Sequence, residues 1–123
     1  MTRSEPVIRK ATQADAIAYY GSNAKCSFRG YVAELDGEII AIGGVYYDNR
    51  MPIAFSEMRP PMRKFLKARA RGCRMLVKLF DEIGGKIYAV ACSTEPTAPY
   101  LLAKLGFKPT GLFGPLGETL VRG

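Results

Sequence analysis

The stretch Lys86-Ile-Tyr-Ala-Val-Ala-Cys92, followed by Thr94-Glu-Pro-Thr-Ala-Pro-Tyr-Leu-Leu-Ala-Lys-Leu-Gly106-Phe107-Lys-Pro-Thr-Gly111, reads as strand, short helix, glycine stop and strand. Beta-branched and aromatic residues alternate from Lys86 to Cys92. Pro96 suits a first helical turn, where its missing N–H would have had no intrahelical partner. Gly106 stands where a left-handed C-cap ends a helix, and Phe107 opens the next strand.

The rest of the chain supplies matching elements. Pro6 to Lys10 reads as a short strand, and Thr12 with Asp15 three residues on marks a helix start leading into Ala14 to Tyr20. Gly21 to Phe28 is a polar connection. Tyr31 to Leu35, Asp36-Gly37 and Glu38 to Tyr47 predict a hairpin, because Asp-Gly between two strand-like runs favours a two-residue turn. Asp48-Asn49-Arg50 marks a further turn, and Pro52 to Met58 a strand closed by Arg59-Pro60-Pro61. Met62 to Ile83 is helical. At about 100° per residue, Met62, Phe65, Leu66, Cys73, Leu76, Val77 and Phe80 share one side, with Arg63, Lys64, Lys67, Arg71, Arg74 and Lys78 opposite. Gly84-Gly85 stop that helix. Phe107 to Phe113 and Glu118 to Arg122 form a last hairpin through Gly114 to Gly117. The order β-α-β-β-β-α-β-α-β-β gives an α+β fold with a mixed sheet.

The 123 residues suit a single domain, 1–123, with one core. No apolar run approaches the ~20 residues of a membrane helix, and Thr2 to Pro6 leads straight into a strand without a signal peptide, so a cytoplasmic protein that binds no membrane is expected. Cys26, Cys73 and Cys92 are odd in number and widely spaced, and there is no histidine to complete a metal site, so no metal is expected. The missing histidine also removes serine-histidine and cysteine-histidine catalysis. Eighteen Lys and Arg against eleven Asp and Glu leave a charge of +7, which draws polyanions: nucleic acid, or a cofactor bearing several phosphates. Nucleic acid is the less favoured partner, because the basic side of the long helix lacks interleaved aromatics and no helix-turn-helix spacing is present.

The phrase Leu102-Ala-Lys-Leu-Gly-Phe-Lys-Pro-Thr-Gly111 resembles the closing motif of the GNAT superfamily of acyl-CoA N-acyltransferases, and the element order matches the GNAT core over nearly the whole chain. The second of that family's usual two N-terminal helices is reduced or lost around Ser22 to Phe28. The resemblance implies a twisted mixed sheet of six to seven strands flanked by helices, and acetyl-CoA as cosubstrate with its pantetheine arm in a gap between the fourth and fifth strands. It also implies a diphosphate held by backbone N–H groups in a loop R-x-x-G-x-[GA] before the long helix. Arg69-Ala-Arg-Gly72-Cys-Arg74 matches the first two fixed positions and fails the third. On this basis Met58, Arg59, Arg69, Arg71, Gly72, Cys73 and Arg74 are the expected cofactor-binding residues.

Two registers compete for the phosphate loop. In one, the helix proper starts near Gly72. In the other, one helix runs unbroken from Pro61, placing Gly72 in its interior and Arg69 on its apolar side. A buried arginine needs a partner, so Arg69 either marks a break or reaches a polar pocket, and the break is preferred.

Acyl transfer to an amine requires the neutral amine, which is scarce at neutral pH. The resemblance points to Glu57, near the end of the fourth strand, as base, although an outward-facing strand residue is equally compatible with the pattern. Family members often carry a tyrosine as general acid four residues before the glycine of K-L-G-F. Here that position is Leu102, Tyr100 two residues earlier points elsewhere on a helix, and Ser93, Tyr100 or water could donate in its place. Cys73 and Cys92 sit in apolar patterns as small buried hydrophobes. The expected partners are an acyl-CoA and an amine acceptor, with self-association through the last hairpin or a sheet edge as in related folds. Short, degenerate GNAT-like chains of this kind also look similar to small tailed-phage proteins. A GNAT-like module without catalysis is the alternative function.

Overall fold

The computed structural model describes residues 5–21, 28–92, 102–115 and 117–123. In chain order the elements are β1 (Val7–Lys10), α1 (Gln13–Tyr20), β2 (Phe28–Leu35), β3 (Glu38–Asp48), β4 (Met51–Met58), a 3-10 turn (Pro60–Lys64), α2 (Leu66–Ile83), β5 (Ile87–Cys92), β6 (Lys108–Gly114) and β7 (Gly117–Arg122). The strands form a mixed seven-stranded sheet in the order β1-β2-β3-β4-β5-β7-β6. The expected α+β architecture is therefore present. Of the helix expected before Gly106, residues 102–104 are helical. Its start, Tyr100 and the connection at 22–27 lie outside the described residues.

Local chemistry explains most boundaries. Thr12 caps α1 with a reciprocal box: its hydroxyl accepts from the Asp15 N–H, while the Asp15 carboxylate accepts from the Thr12 N–H at 2.7 Å. Gly21 ends the helix in the left-handed region at φ 77°. Asp36 and Gly37, at φ 51° and 83°, make the two-residue turn joining β2 to β3. Asn49 and Arg50 do the same between β3 and β4 with φ of 49° and 68°.

Two expectations are corrected. β2 begins at Phe28, not Tyr31, because Gly30 and Gly44 let β2 and β3 approach so closely that a Cβ on either would run into a carbonyl of the facing strand. The helix expected over Met62 to Ile83 is two pieces: the chain turns at Phe65 (φ −94°, ψ 73°), and α2 starts at Leu66. That turn resets the helical phase. Met62 and Phe65 bury against Ala33 and Ile40, whereas Leu66 swings out and is 69% exposed.

α1 and α2 cover opposite faces of the sheet. Ala16 of α1 packs on Val32, Ile39 and Ile42, while Leu76, Leu79 and Phe80 of α2 pack on Val45, Ile87, Ala89 and Leu120. Phe80 meets Phe107 edge to face, with ring centroids 5.5 Å apart. Arg122 of β7 lies over the Phe80 ring, donates to the Leu105 carbonyl at 3.0 Å and pairs with Asp81 at 2.7 Å. These contacts hold the β5–β7 half of the sheet against α2. β4 is held from the other side, paired with β3 along its whole length.

Candidate active site

Between those two halves the sheet opens. β4 and β5 run parallel and pair at a single position, Ile53 with Tyr88, whereas β5 pairs with β7 from Ile87 to Cys92. Beyond Ile53 the β5-facing edge of β4, residues 55–58, has no ladder partner among the described residues. Unpaired strand edges are strong hydrogen-bonding surfaces for an extended guest.

A cavity of about 800 Å³ lies on the α2 side of this opening. Ser56 and Met58 line it from β4, Arg69, Gly72, Cys73 and Arg74 from α2, and Lys104 from the segment before Gly106. Its room comes from small residues, including Ala33 and Ala41 on the sheet and Ala70 and Gly72 on the helix. A Cβ on Gly72 would meet nothing within 4 Å. Glycine at a helix-interior site destabilises by about 1 kcal/mol relative to alanine, and no neighbour in the fold requires it here. A guest chain approaching the helix backbone does have use for it.

The helix start bears on phosphate binding. Because α2 begins at Leu66, Gly72 lies in its interior, and the N–H groups of residues 72–74 are taken up by i→i−4 bonds. The preferred break at Arg69 to Arg74 is thus not observed; the chain breaks at Phe65 instead. Phe65 brings no side-chain cap, and the backbone donors free of helix bonding are those of the first turn. Arg69 lies on the sheet-facing side, half-buried, lining the cavity and donating to the Arg63 carbonyl at 3.3 Å. The cavity it lines is mostly apolar, so its guanidinium finds that carbonyl at the rim and no polar pocket.

The structure divides the expected residues between two faces. Met58, Arg69, Gly72, Cys73 and Arg74 gather at the cavity. Arg71 is exposed on the outer side of α2, and neither it nor Arg59 is among the cavity-lining residues. Arg59 instead donates to the Tyr19 carbonyl at 2.9 Å and to Glu38 at 3.3 Å, with its guanidinium 4.5 Å from the Tyr19 ring centroid. It ties the end of α1 to the end of β4.

Glu57 falls between Ser56 and Met58, so strand alternation turns it toward the α1 face. There it acts electrostatically on Tyr19. Burial, and after it the Glu57 carboxylate, push the Tyr19 hydroxyl above its ordinary value, against an opposing pull from Arg59. The end of β4 therefore presents cations and open space on one face, and a carboxylate beside a half-buried tyrosine on the other. Tyr19, Ser56 and Lys104 did not stand out in the sequence. Among the described residues no group of three potential metal ligands gathers, and no helix is long and apolar enough to cross a membrane.

A seven-stranded mixed sheet splayed between its fourth and fifth strands is the GNAT fold, and solved structures bear this out. The chain is similar to a GNAT-family acetyltransferase from Staphylococcus aureus (TM-score 0.67, 14% identity, 96% of this chain and 98% of that one). It is also similar to the ribosomal-protein-S18-alanine N-acetyltransferase from Escherichia coli (0.64, 13%, 95% and 91%). A third likeness is to a spermidine/spermine N-acetyltransferase from Vibrio cholerae (0.63, 17%, 94% and 91%). No protein-family model matches the sequence, and no curated protein sequence matches it significantly. At these identities the likeness is one of fold.

Proposed function

We propose that this chain is an N-acyltransferase that moves an acyl group, acetyl in the simplest case, from an acyl-CoA thioester to an amine. The observation that carries this reading is the opening beyond the Ile53–Tyr88 pair, with a cavity of about 800 Å³ beside it. The unpaired edge of β4 suits an extended pantetheine arm, and the open space at Gly72 suits its passage along α2. Arg69, Arg74 and Lys104 would hold the phosphates by side-chain charge, supplemented by the first-turn N–H groups of α2.

The thioester supplies the activated acyl group. Glu57 takes the proton of the acceptor ammonium on the α1 face, Tyr19 borders the acceptor, and N–H groups of β4 polarise the carbonyl. Tyr100, outside the described residues, is the proposed acid for the departing thiolate as the C–S bond breaks, and its phenolate takes the second proton released by the new amide nitrogen. The odd, widely spaced cysteines fit a reducing cytoplasm.

A second reading, a GNAT-like module without catalysis, is favoured by one observation. α2 continues through Gly72, so the backbone donors of that stretch are bonded within the helix. Calorimetric titration with acetyl-CoA separates the two. Micromolar binding, lost in Gly72→Leu and weakened in Arg69→Ala, supports acyl transfer and warrants an amine screen. No binding at millimolar ligand makes the non-catalytic module the better reading.

A further inference from the structure

The outer surface of α2 carries cations in line. With 3.6 residues per turn, Lys67, Arg71, Arg74 and Lys78 fall within a sector of about 60°, opposite the buried Ala68, Leu76, Leu79 and Phe80. All four are exposed, and at 1.5 Å per residue they span about 16 Å of helix. Among the described residues none of the four has an ion-pair partner. The two acids of α2, Asp81 and Glu82, stand beyond the row and pair with Arg122 and Arg29. Arg63 and Lys64 of the preceding turn, also exposed, extend the positive run.

Helix stability does not explain this arrangement. Like charges three and four residues apart repel. The row begins at the positive end of the helix dipole, yet the first turn has no acid to offset it and the last turn has no base. Such a helix is better suited to an anion laid along it.

We propose that this ridge binds the phosphate backbone of nucleic acid without regard to sequence, sharing only Arg74 with the site proposed for acyl-CoA. A duplex strand places one phosphate per ~3.4 Å of axis, so the ridge faces about five of them. The row has no aromatic or amide side chain with which to read bases. An anionic membrane suits it less, because insertion needs an apolar face turned outward, and the main apolar face of α2 is packed on the sheet.

The test is fluorescence anisotropy with a short random-sequence duplex and with a single strand of equal length, over a range of salt. Four contacts predict a log–log salt slope of about −3.6 on duplex and about −2.8 on single strand, and the arm that binds more tightly identifies the form preferred. Replacing Lys67→Ala together with Arg71→Ala should flatten the slope by about two contacts, or ~1.8 on duplex, while leaving the melting temperature near that of the parent. Arg74, which also lines the cavity, is left intact. A control pair, Lys86→Ala with Lys108→Ala, removes the same charge elsewhere and should leave the slope unchanged. Equal losses in both pairs would reduce the effect to net charge and overturn the proposal. So would polyglutamate competing as well as nucleic acid at equal charge, or no binding of either form at low salt.

Discussion

Ile53 and Tyr88 are the one paired position between two parallel strands that are each fully paired on their other side. A sheet normally closes such a seam, because unpaired backbone groups are costly unless water or a guest satisfies them. If an extended guest such as pantetheine completes the seam, acetyl-CoA will slow hydrogen exchange at those amides of residues 55–58 that alternate away from β3. The amides of β3 that already face β4 should change little. Unaltered exchange at 55–58 in saturating ligand would place the guest elsewhere.

Gly72 separates stability from ligand binding. Its Cβ position is open, so Gly72→Ala introduces no clash and improves helix propensity. The variant should unfold about 1 kcal/mol harder, read from urea midpoints at constant slope. A destabilised variant would mean that the backbone at 72 is strained in a way α2 does not display.

Features made by neighbours in sequence were legible, and features made by distant residues were not. The Thr12–Asp15 cap and the Asp36–Gly37 turn need only residues within one turn of chain. The β4–β5 seam followed from the resemblance in element order. By contrast, the extension of β2 to Phe28 depends on Gly30 meeting Gly44 across the ladder. The break at Phe65 has neither glycine nor a following proline to announce it, so the periodicity runs through it and places Leu66 inside, while the glycine at 72 points to a break too late in the chain. Tyr19 meets Arg59 from forty residues away. The same distance hid the use of Arg59 as a tie between elements.

Among the described residues, Asp15 is a carboxylate whose protonation ties stability to acid pH. Both its oxygens accept from Arg9, at 2.7 and 2.8 Å, and these bonds above all hold its carboxyl at about 2, below the ordinary 3.8. A folded-state value below the unfolded one gives stability that is complete above about pH 4 and lost as pH falls through about 2. Asp15→Asn should cost roughly 2 kcal/mol at pH 7, from a charged hydrogen bond and a helix cap. The gap between parent and variant should narrow as pH drops from 4 to 2, and a gap of constant size across that window would assign the acid sensitivity to other carboxylates.

Arg50 holds a left-handed conformation at φ 68° in the second position of a two-residue hairpin turn. Non-glycine residues pay roughly 1–2 kcal/mol there, and Asn-Gly is the sequence such a turn prefers. Arg50→Gly should therefore raise the unfolding free energy by about 1 kcal/mol, since the greater freedom of glycine in the unfolded chain takes back part of the gain. Thermal unfolding of parent and variant checks it. A lower melting temperature would show that the Arg50 side chain contributes more than its backbone costs.

Glu57 tests the division of labour between the two faces of β4. Its neighbours Ser56 and Met58 line the cavity while it faces Tyr19, so it should act on the amine without touching the CoA. Glu57→Gln is expected to lower kcat by about 10²-fold or more, as loss of a positioned base does, and to leave acetyl-CoA affinity within about twofold. Tyr19→Phe, which keeps the ring under Arg59 and removes only the hydroxyl, should have a smaller effect, seen mainly in KM for the amine. Steady-state kinetics with one accepted amine, alongside calorimetry for acetyl-CoA, measure both. If Glu57→Gln weakens acetyl-CoA binding as much as it slows turnover, the two faces are not separate and the carboxylate supports the cavity. If turnover is unchanged, the proton leaves by another route, and the Glu57–Tyr19 pair is part of the packing between α1 and β4.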